Sequence, residues 1–191
     1  DNNSERGIFR SVDGGASWEK RLFVNDSTGG IDLAIHPNNP DTVFAVTWQR
    51  TRRPNKRVYG GPGCGIWRSS DGGDHWEKLT TGLPATNLGR IGIAISPSEP
   101  STLYALYADQ TGFFKGNYKS TDHGDSWSQL SGGDPGYPGF GWWFGQIRVH
   151  PNDPDEVYTL GLDWAKTTDG GQNWTGVSDY LHADYHALYI H

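Results

Sequence analysis

Methionine is absent from this chain, and cysteine occurs once, as Cys64. A lone thiol excludes a disulfide within the chain and any cysteine-based zinc motif. No apolar run approaches the roughly 20 residues of a membrane-crossing helix. No stretch shows the 3.6-residue periodicity of an amphipathic helix. Basic residues are outnumbered, 16 against 22 acidic, and the net charge of −6 excludes a general nucleic-acid binder. Because methionine is missing even at position 1, the chain reads as a piece of a longer or processed polypeptide. What is abundant is glycine (27), proline (11) and tryptophan (9), the composition of a loop-rich soluble protein whose bulk is supplied by aromatic residues.

One stretch recurs four times. Ser11-Val12-Asp13-Gly14-Gly15-Ala16-Ser17-Trp18 returns around Asp71 and Trp76, around Asp122 and Trp127, and around Asp169 and Trp174. Each copy has a hydroxyl residue two before the Asp, a Gly two after it and a Trp five after it. A basic residue, Arg10, Arg68, Lys119 or Lys166, always stands three before it. The aspartates are 58, 51 and 47 positions apart, and a fixed motif at that spacing marks a repeat architecture. Each copy reads as a hairpin turn. The carboxylate accepts nearby backbone N–H groups, Gly supplies a positive φ, and the Trp opens the next strand. An aspartate committed to its own turn is a poor general base.

Between these motifs a second pattern repeats. Ile31–Val46 carries His36-Pro37-Asn38-Asn39-Pro40 between two strand-like runs. Ile91–Leu106 and Gln146–Leu160 are built the same way. Proline cannot donate to a ladder, so it marks where these strands stop. Strands A and B flank the Pro turn, and strands C and D flank the Asp turn. Four-stranded units at this spacing are expected to be β-propeller blades, since a β-sandwich leaves the fourfold repeat unexplained. The chain is expected to form part of one propeller over 1–191. It would hold a partial blade at 7–23, full blades at 30–80, 89–130 and 145–176, and the start of another at 184–191. The remaining blades would come from the same polypeptide or another chain.

The pattern Ser/Thr-x-Asp-x-Gly-x-x-Trp resembles the Asp-box, or bacterial neuraminidase repeat. Gly89-Arg90-Ile91-Gly92, the segment 141–151 and the tail 182–191 are similar to the bacterial sortilin-like group, often labelled glycosyl hydrolases. The resemblance implies a secreted protein, extracellular or periplasmic, with no cofactor. It also implies a carbohydrate or protein/peptide ligand, or else a glycoside hydrolase of xyloglucanase or sialidase type. The motif is a folding device shared by enzymes and binders.

In this strand order the Pro turns and Asp turns share one face, and the B–C and D–A loops carry ligands on the other. The B–C segment 47–65 holds Trp48, Arg50, Arg52, Arg53, Lys56, Arg57 and Tyr59, a group able to grip carboxylates or simply a solvated loop. Arg90 and the D–A residues Tyr137, Phe140, Trp142, Trp143 and Phe144 offer either stacking faces or packing between blades. His182, Asp184 and His186 alternate, so strand geometry would gather them for metal or acid–base chemistry, or as a cap. Asp109 and Asp163 are further catalytic candidates, with Asp32, Asp134 and Asp179 also on this face. The five glutamates, Glu5, Glu19, Glu77, Glu99 and Glu156, all lie outside the ligand-face loops, which argues against a sialidase site within this segment.

If the boxes are scaffolding, Asp71→Ala lowers the melting temperature while ligand affinity of the folded fraction is unchanged. Loss of binding in fully folded protein would move the motif to the ligand face.

Overall fold

The computed structural model describes residues 2–136, 140–177 and 183–190, and among them every regular element is a β-strand. The first unit is a pair, β1 (Ile8–Arg10) and β2 (Glu19–Leu22). The second contains β3 (Thr28–Ile35), β4 (Val43–Gln49), an inserted hairpin of β5 (Thr51–Arg53) and β6 (Lys56–Val58), then β7 (Gly65–Ser69) and β8 (Glu77–Leu79). The third is β9 (Ile91–Ile95), β10 (Leu103–Ala108), β11 (Phe114–Ser120) and β12 (Ser128–Gln129). The fourth is β13 (Gln146–His150), β14 (Asp153–Leu160), β15 (Trp164–Thr167) and β16 (Thr175–Gly176). Units two to four are four-stranded antiparallel meanders, β3-β4-β7-β8, β9-β10-β11-β12 and β13-β14-β15-β16. Their first strands contact one another in succession, β3 with β9 and β9 with β13. The blade architecture expected from the repeat is therefore present.

Burial follows from blade stacking. Every residue of β10 is buried, yet successive side chains serve different cores. Leu103, Ala105 and Tyr107 join Phe44, Val46, Ile66 and Trp127 between the second and third blades. Tyr104 and Leu106 join Ile147, Val149 and Val157 between the third and fourth. The period-2 alternation of a strand thus divides one blade between two neighbours. The box Trp belongs to the same scheme. Trp127 is 4% exposed against the preceding blade, whereas Trp18, with no preceding blade in this chain, is 62% exposed.

The four boxes close by one hydrogen-bond pattern. The hydroxyl of Ser11, Ser69, Ser120 or Thr167 donates to its Asp at 2.7–2.8 Å. The same oxygen accepts the N–H of Gly15, Gly73, Gly124 or Gly171 at 2.7–3.0 Å. The carboxylate accepts the N–H four residues on, from Ser17, His75, Ser126 or Asn173, at 2.9–3.0 Å. The side chain of that residue meets the second oxygen at 2.5–2.7 Å. Two consecutive positive φ angles make the bend possible, and in the third box the first falls on His123 (φ 59°).

The basic residue before each box has a role that the repeat alone did not reveal. Arg10 donates to Gly72 O (2.7 Å) and to Asp74 (2.6 Å), both in the next blade's box. Arg68 repeats this on His123 O (2.9 Å) and Asp125 (2.6 Å). Lys119 reaches Asp155 (2.8 Å), whose carbonyl holds the fourth box through Gly170 N–H (3.0 Å). Lys166 turns instead to Glu156 in its own blade (2.9 Å). Boxes are also tied to the Pro turn of their own blade, by Gly72 N–H to Asp41 O and His123 N–H to Ser101 O. Boxes and Pro turns therefore share one face.

These hydrogen bonds set an acid limit. The Ser126 hydroxyl and N–H, with the Ser120 hydroxyl, hold Asp122 down at about 2. Asp13, Asp71 and Asp169 lie lower still, for the same reason. A folded-state pKa below the unfolded one contributes stability that is full above about pH 4 and disappears as pH falls towards about 2. The urea midpoint, followed by tryptophan fluorescence, should drop across that window. A midpoint unchanged down to pH 2 contradicts the assignment.

Candidate functional site

The 47–65 segment is not a plain loop. Its centre folds as the β5–β6 hairpin with Thr51 opposite Val58, Arg52 opposite Arg57 and Arg53 opposite Lys56. Thr51 is buried and the four cations are exposed. The hairpin is anchored by Trp48, whose indole N–H donates to Tyr59 O at 2.7 Å. The Arg50 guanidinium lies 4.8 Å from the Trp48 ring centre, and Arg90 lies 5.8 Å from it. Trp48 is 5% exposed, so it supports the site from below and offers no stacking face.

The segment 140–144 turns tightly, with Trp143 and Phe144 N–H donating to Phe140 O. Trp142 stacks on Tyr59 with centroids 4.8 Å apart and planes 17° apart, joining this turn to the hairpin. It also lies against Gly112, where an added Cβ would meet the Trp142 ring at 2.2 Å. Arg90 donates to Trp143 O at 2.8 Å. Phe144 is buried, while Phe140 and Trp143 are 44% and 43% exposed. The expected choice between stacking face and interior packing is thus divided residue by residue.

A third wall comes from 183–186. Asp184 and Tyr185 donate their N–H groups to Leu162 O and Gly161 O at 3.0 and 2.9 Å, fastening this segment to the β14–β15 connection. Asp184 lies 3.0 Å from His186 Nε2, and the His186 ring stacks on Phe144 at 4.9 Å. The expectation that strand alternation would bring these side chains together is corrected. Residues 184–190 form no strand, and the pair meets in a segment where Asp184 has a positive φ of 99°. His182, Tyr137 and Asp179 lie outside the described residues. Among the described residues no three His, Cys, Asp or Glu side chains gather as metal ligands.

The three walls enclose a cleft of about 480 Å³, lined by Arg52, Arg57, Tyr59, Phe140, Trp142, Trp143, Phe144, Leu162, Ala183 and Asp184. Sequence reasoning missed Leu162 and Ala183. The B–C connection holding Leu162 is the three residues 161–163, where Asp163 is the chemical candidate and the apolar side chain beside it carries no chemical flag. Among the described residues Arg50, Arg53 and Arg90 do not line the cleft, and neither do Asp32, Asp109, Asp134 and Asp163. Partial burial pushes Asp109 up, but the Thr111 hydroxyl and the N–H groups of Phe113, Thr111 and Gly112 outweigh it and hold the carboxyl below its usual range. Asp109 is thereby a turn acceptor. Asp163 is exposed on the β14–β15 tip. Asp32 accepts Ile93 N–H at 3.3 Å between β3 and β9, and burial raises its pKa despite Arg148 and Arg90.

The comparisons with known proteins agree with this architecture. A family model described as Sortilin-Vps10 (sortilin, neurotensin receptor 3) matches residues 6–131. The xyloglucanase Xgh74A of Acetivibrio thermocellus is 29% identical over 153 residues, covering 65% of this chain and 16% of that enzyme. The chain therefore spans about one sixth of the relative's length. Two solved structures share the fold. An ancestral GH74 enzyme matches with TM-score 0.65 and 16% identity over 91% of this chain and 21% of that one. The GH74 xyloglucanase of Xanthomonas campestris matches with TM-score 0.62 and 17% identity, over 87% of this chain and 25% of that one. With the family model covering well over half of its length, this Asp-box β-propeller chain belongs to the Sortilin-Vps10 family.

Proposed function

We propose that this chain forms a ligand-binding face of a secreted β-propeller, taking a carbohydrate or peptide in the cleft between the β5–β6 hairpin, the 140–144 turn and the 183–186 segment. The remaining blades come from the rest of the polypeptide or from another chain. One observation carries the reading. Exposed aromatic faces and paired guanidinium forks, supplied by segments far apart in sequence, line one cleft on the face opposite the boxes. Flat rings stack on sugars or aromatic side chains, and forks hold oxyanions bidentately.

A glycoside hydrolase is the second reading, favoured by the similarity to xyloglucanases. Acid–base cleavage of a glycosidic bond usually takes two carboxylates roughly 5–9.5 Å apart. Among the described residues Asp184 alone brings a carboxylate to the cleft, and it is paired with His186. Binding asks nothing further of these residues.

Trp143 tests the proposal. Losing one exposed stacking face costs about 1 kcal/mol, so Trp143→Ala should weaken a ligand found by glycan and peptide array roughly five- to tenfold in calorimetry. The melting temperature should hold, because Trp143 is only half-buried. Unchanged affinity overturns the placement.

A further inference from the structure

The β5–β6 hairpin sets like charges directly against each other. Arg52 faces Arg57 across the ladder, and the next pair is Arg53 with Lys56. Opposed cross-strand cations about 5 Å apart at Cβ repel, and a two-stranded hairpin is marginal at best without further support. Elsewhere some of the chain's cations turn to carbonyl oxygens, as Lys78 does to Pro62 and Arg148 to Ile147, and others are neutralised by carboxylates. Arg10, Arg21, Arg68, Lys119 and Lys166 all sit on carboxylates at 2.6–3.1 Å. Arg52, Lys56 and Arg57 form no ion pair with any described residue, although the chain carries 22 acidic side chains. Local conflicts of this kind concentrate where a protein keeps a site for something else.

Arg52 and Arg57 alternate to the same side of the ladder, and both line the cleft facing Trp143 and Phe140. An anion seated between the two forks relieves their repulsion and gains charge-assisted hydrogen bonds from both. The flat rings beside them require that the same ligand present an apolar face at a fixed distance from its charge. A carboxylate borne directly on a pyranose ring does so rigidly. A glutamate side chain reaches the same geometry only by giving up the rotamer freedom of its three side-chain torsions. The 480 Å³ cleft is in the range of small-ligand sites, which suits a short sugar segment.

We propose that the cleft recognises an acidic polysaccharide, with a ring carboxylate held between Arg52 and Arg57 and a sugar face stacked on Trp143. This rests on the binding-cleft reading above and names its ligand class.

The test uses the full-length protein and calorimetry with three probes: a galacturonate hexamer, its carboxyl-reduced neutral counterpart, and a hexaglutamate peptide. The galacturonate hexamer should bind, more weakly as salt rises from about 0.05 to 0.5 M because the contact is ionic. The reduced hexamer should bind at least about tenfold less tightly. Arg52→Gln and Arg57→Gln should each erase most of that difference while leaving the ligand-free melting temperature unchanged or raised, since each removes a repulsion. Trp143→Ala should weaken both sugars. No binding of the galacturonate hexamer overturns the proposal. So does tighter binding of hexaglutamate, which makes the ligand an acidic peptide. Equal binding of both sugars, insensitive to the Arg variants but sensitive to Trp143→Ala, overturns the charge assignment and leaves the cleft standing. Indifference of galacturonate binding to Arg52, Arg57 and Trp143 alike removes the cleft itself.

Discussion

The fold depends on a carboxylate that spends its lone pairs at home. In each box the aspartate closes its own hairpin, with one hydroxyl bridging it to the glycine N–H on the other side of the bend. That closure leaves a rigid knob whose main-chain carbonyls point outward. An arginine of the preceding blade then docks there in the second and third boxes, as Arg10 does on Gly72 and Arg68 on His123. Exposed ion pairs of this sort contribute modestly one by one. Their value is geometric, since each fixes the next blade's rotation while the β10-type alternation fills both inter-blade cores.

Placing the rigid turns on one face releases the other. Loops there need not close the blades, so their lengths vary from the three-residue β14–β15 connection to the long β4–β7 insertion. Variation of this kind lets a repeat scaffold carry one asymmetric site. The cleft is asymmetric in that sense. The hairpin belongs to the second blade, the aromatic turn leads into the fourth, and Asp184 comes after it. The likeness to xyloglucanases follows from the shared scaffold, and the proposed binding function rests on these loops.

Much of this was legible in the residues. The box is a local device, and its hydrogen bonds span four positions, so spacing alone predicts them. The blade order follows from the Pro turns for the same reason. What stayed hidden was non-local. The constant basic residue before each box is visible in sequence, but its partner lies 62 positions away for Arg10 and 55 for Arg68. The β5–β6 hairpin was concealed because Thr-Arg-Arg and Lys-Arg-Val lack the apolar alternation of a core strand. Trp48 looked like a ligand contact because its burial depends on Tyr59 and on Arg90 from another blade. Alternation predicts that Asp184 and His186 meet, and they do, but in a segment that forms no strand and where Asp184 has a positive φ.

The central claim is a division of labour between the two faces. Hydrogen exchange of the full-length protein, with and without bound oligosaccharide and read by mass spectrometry, tests it most directly. Ligand should slow exchange in 51–59, 140–144 and 183–186 while the boxes at 69–76, 120–127 and 167–174 exchange at their ligand-free rates. Protection centred on the boxes, with none in the hairpin or the aromatic turn, contradicts the account.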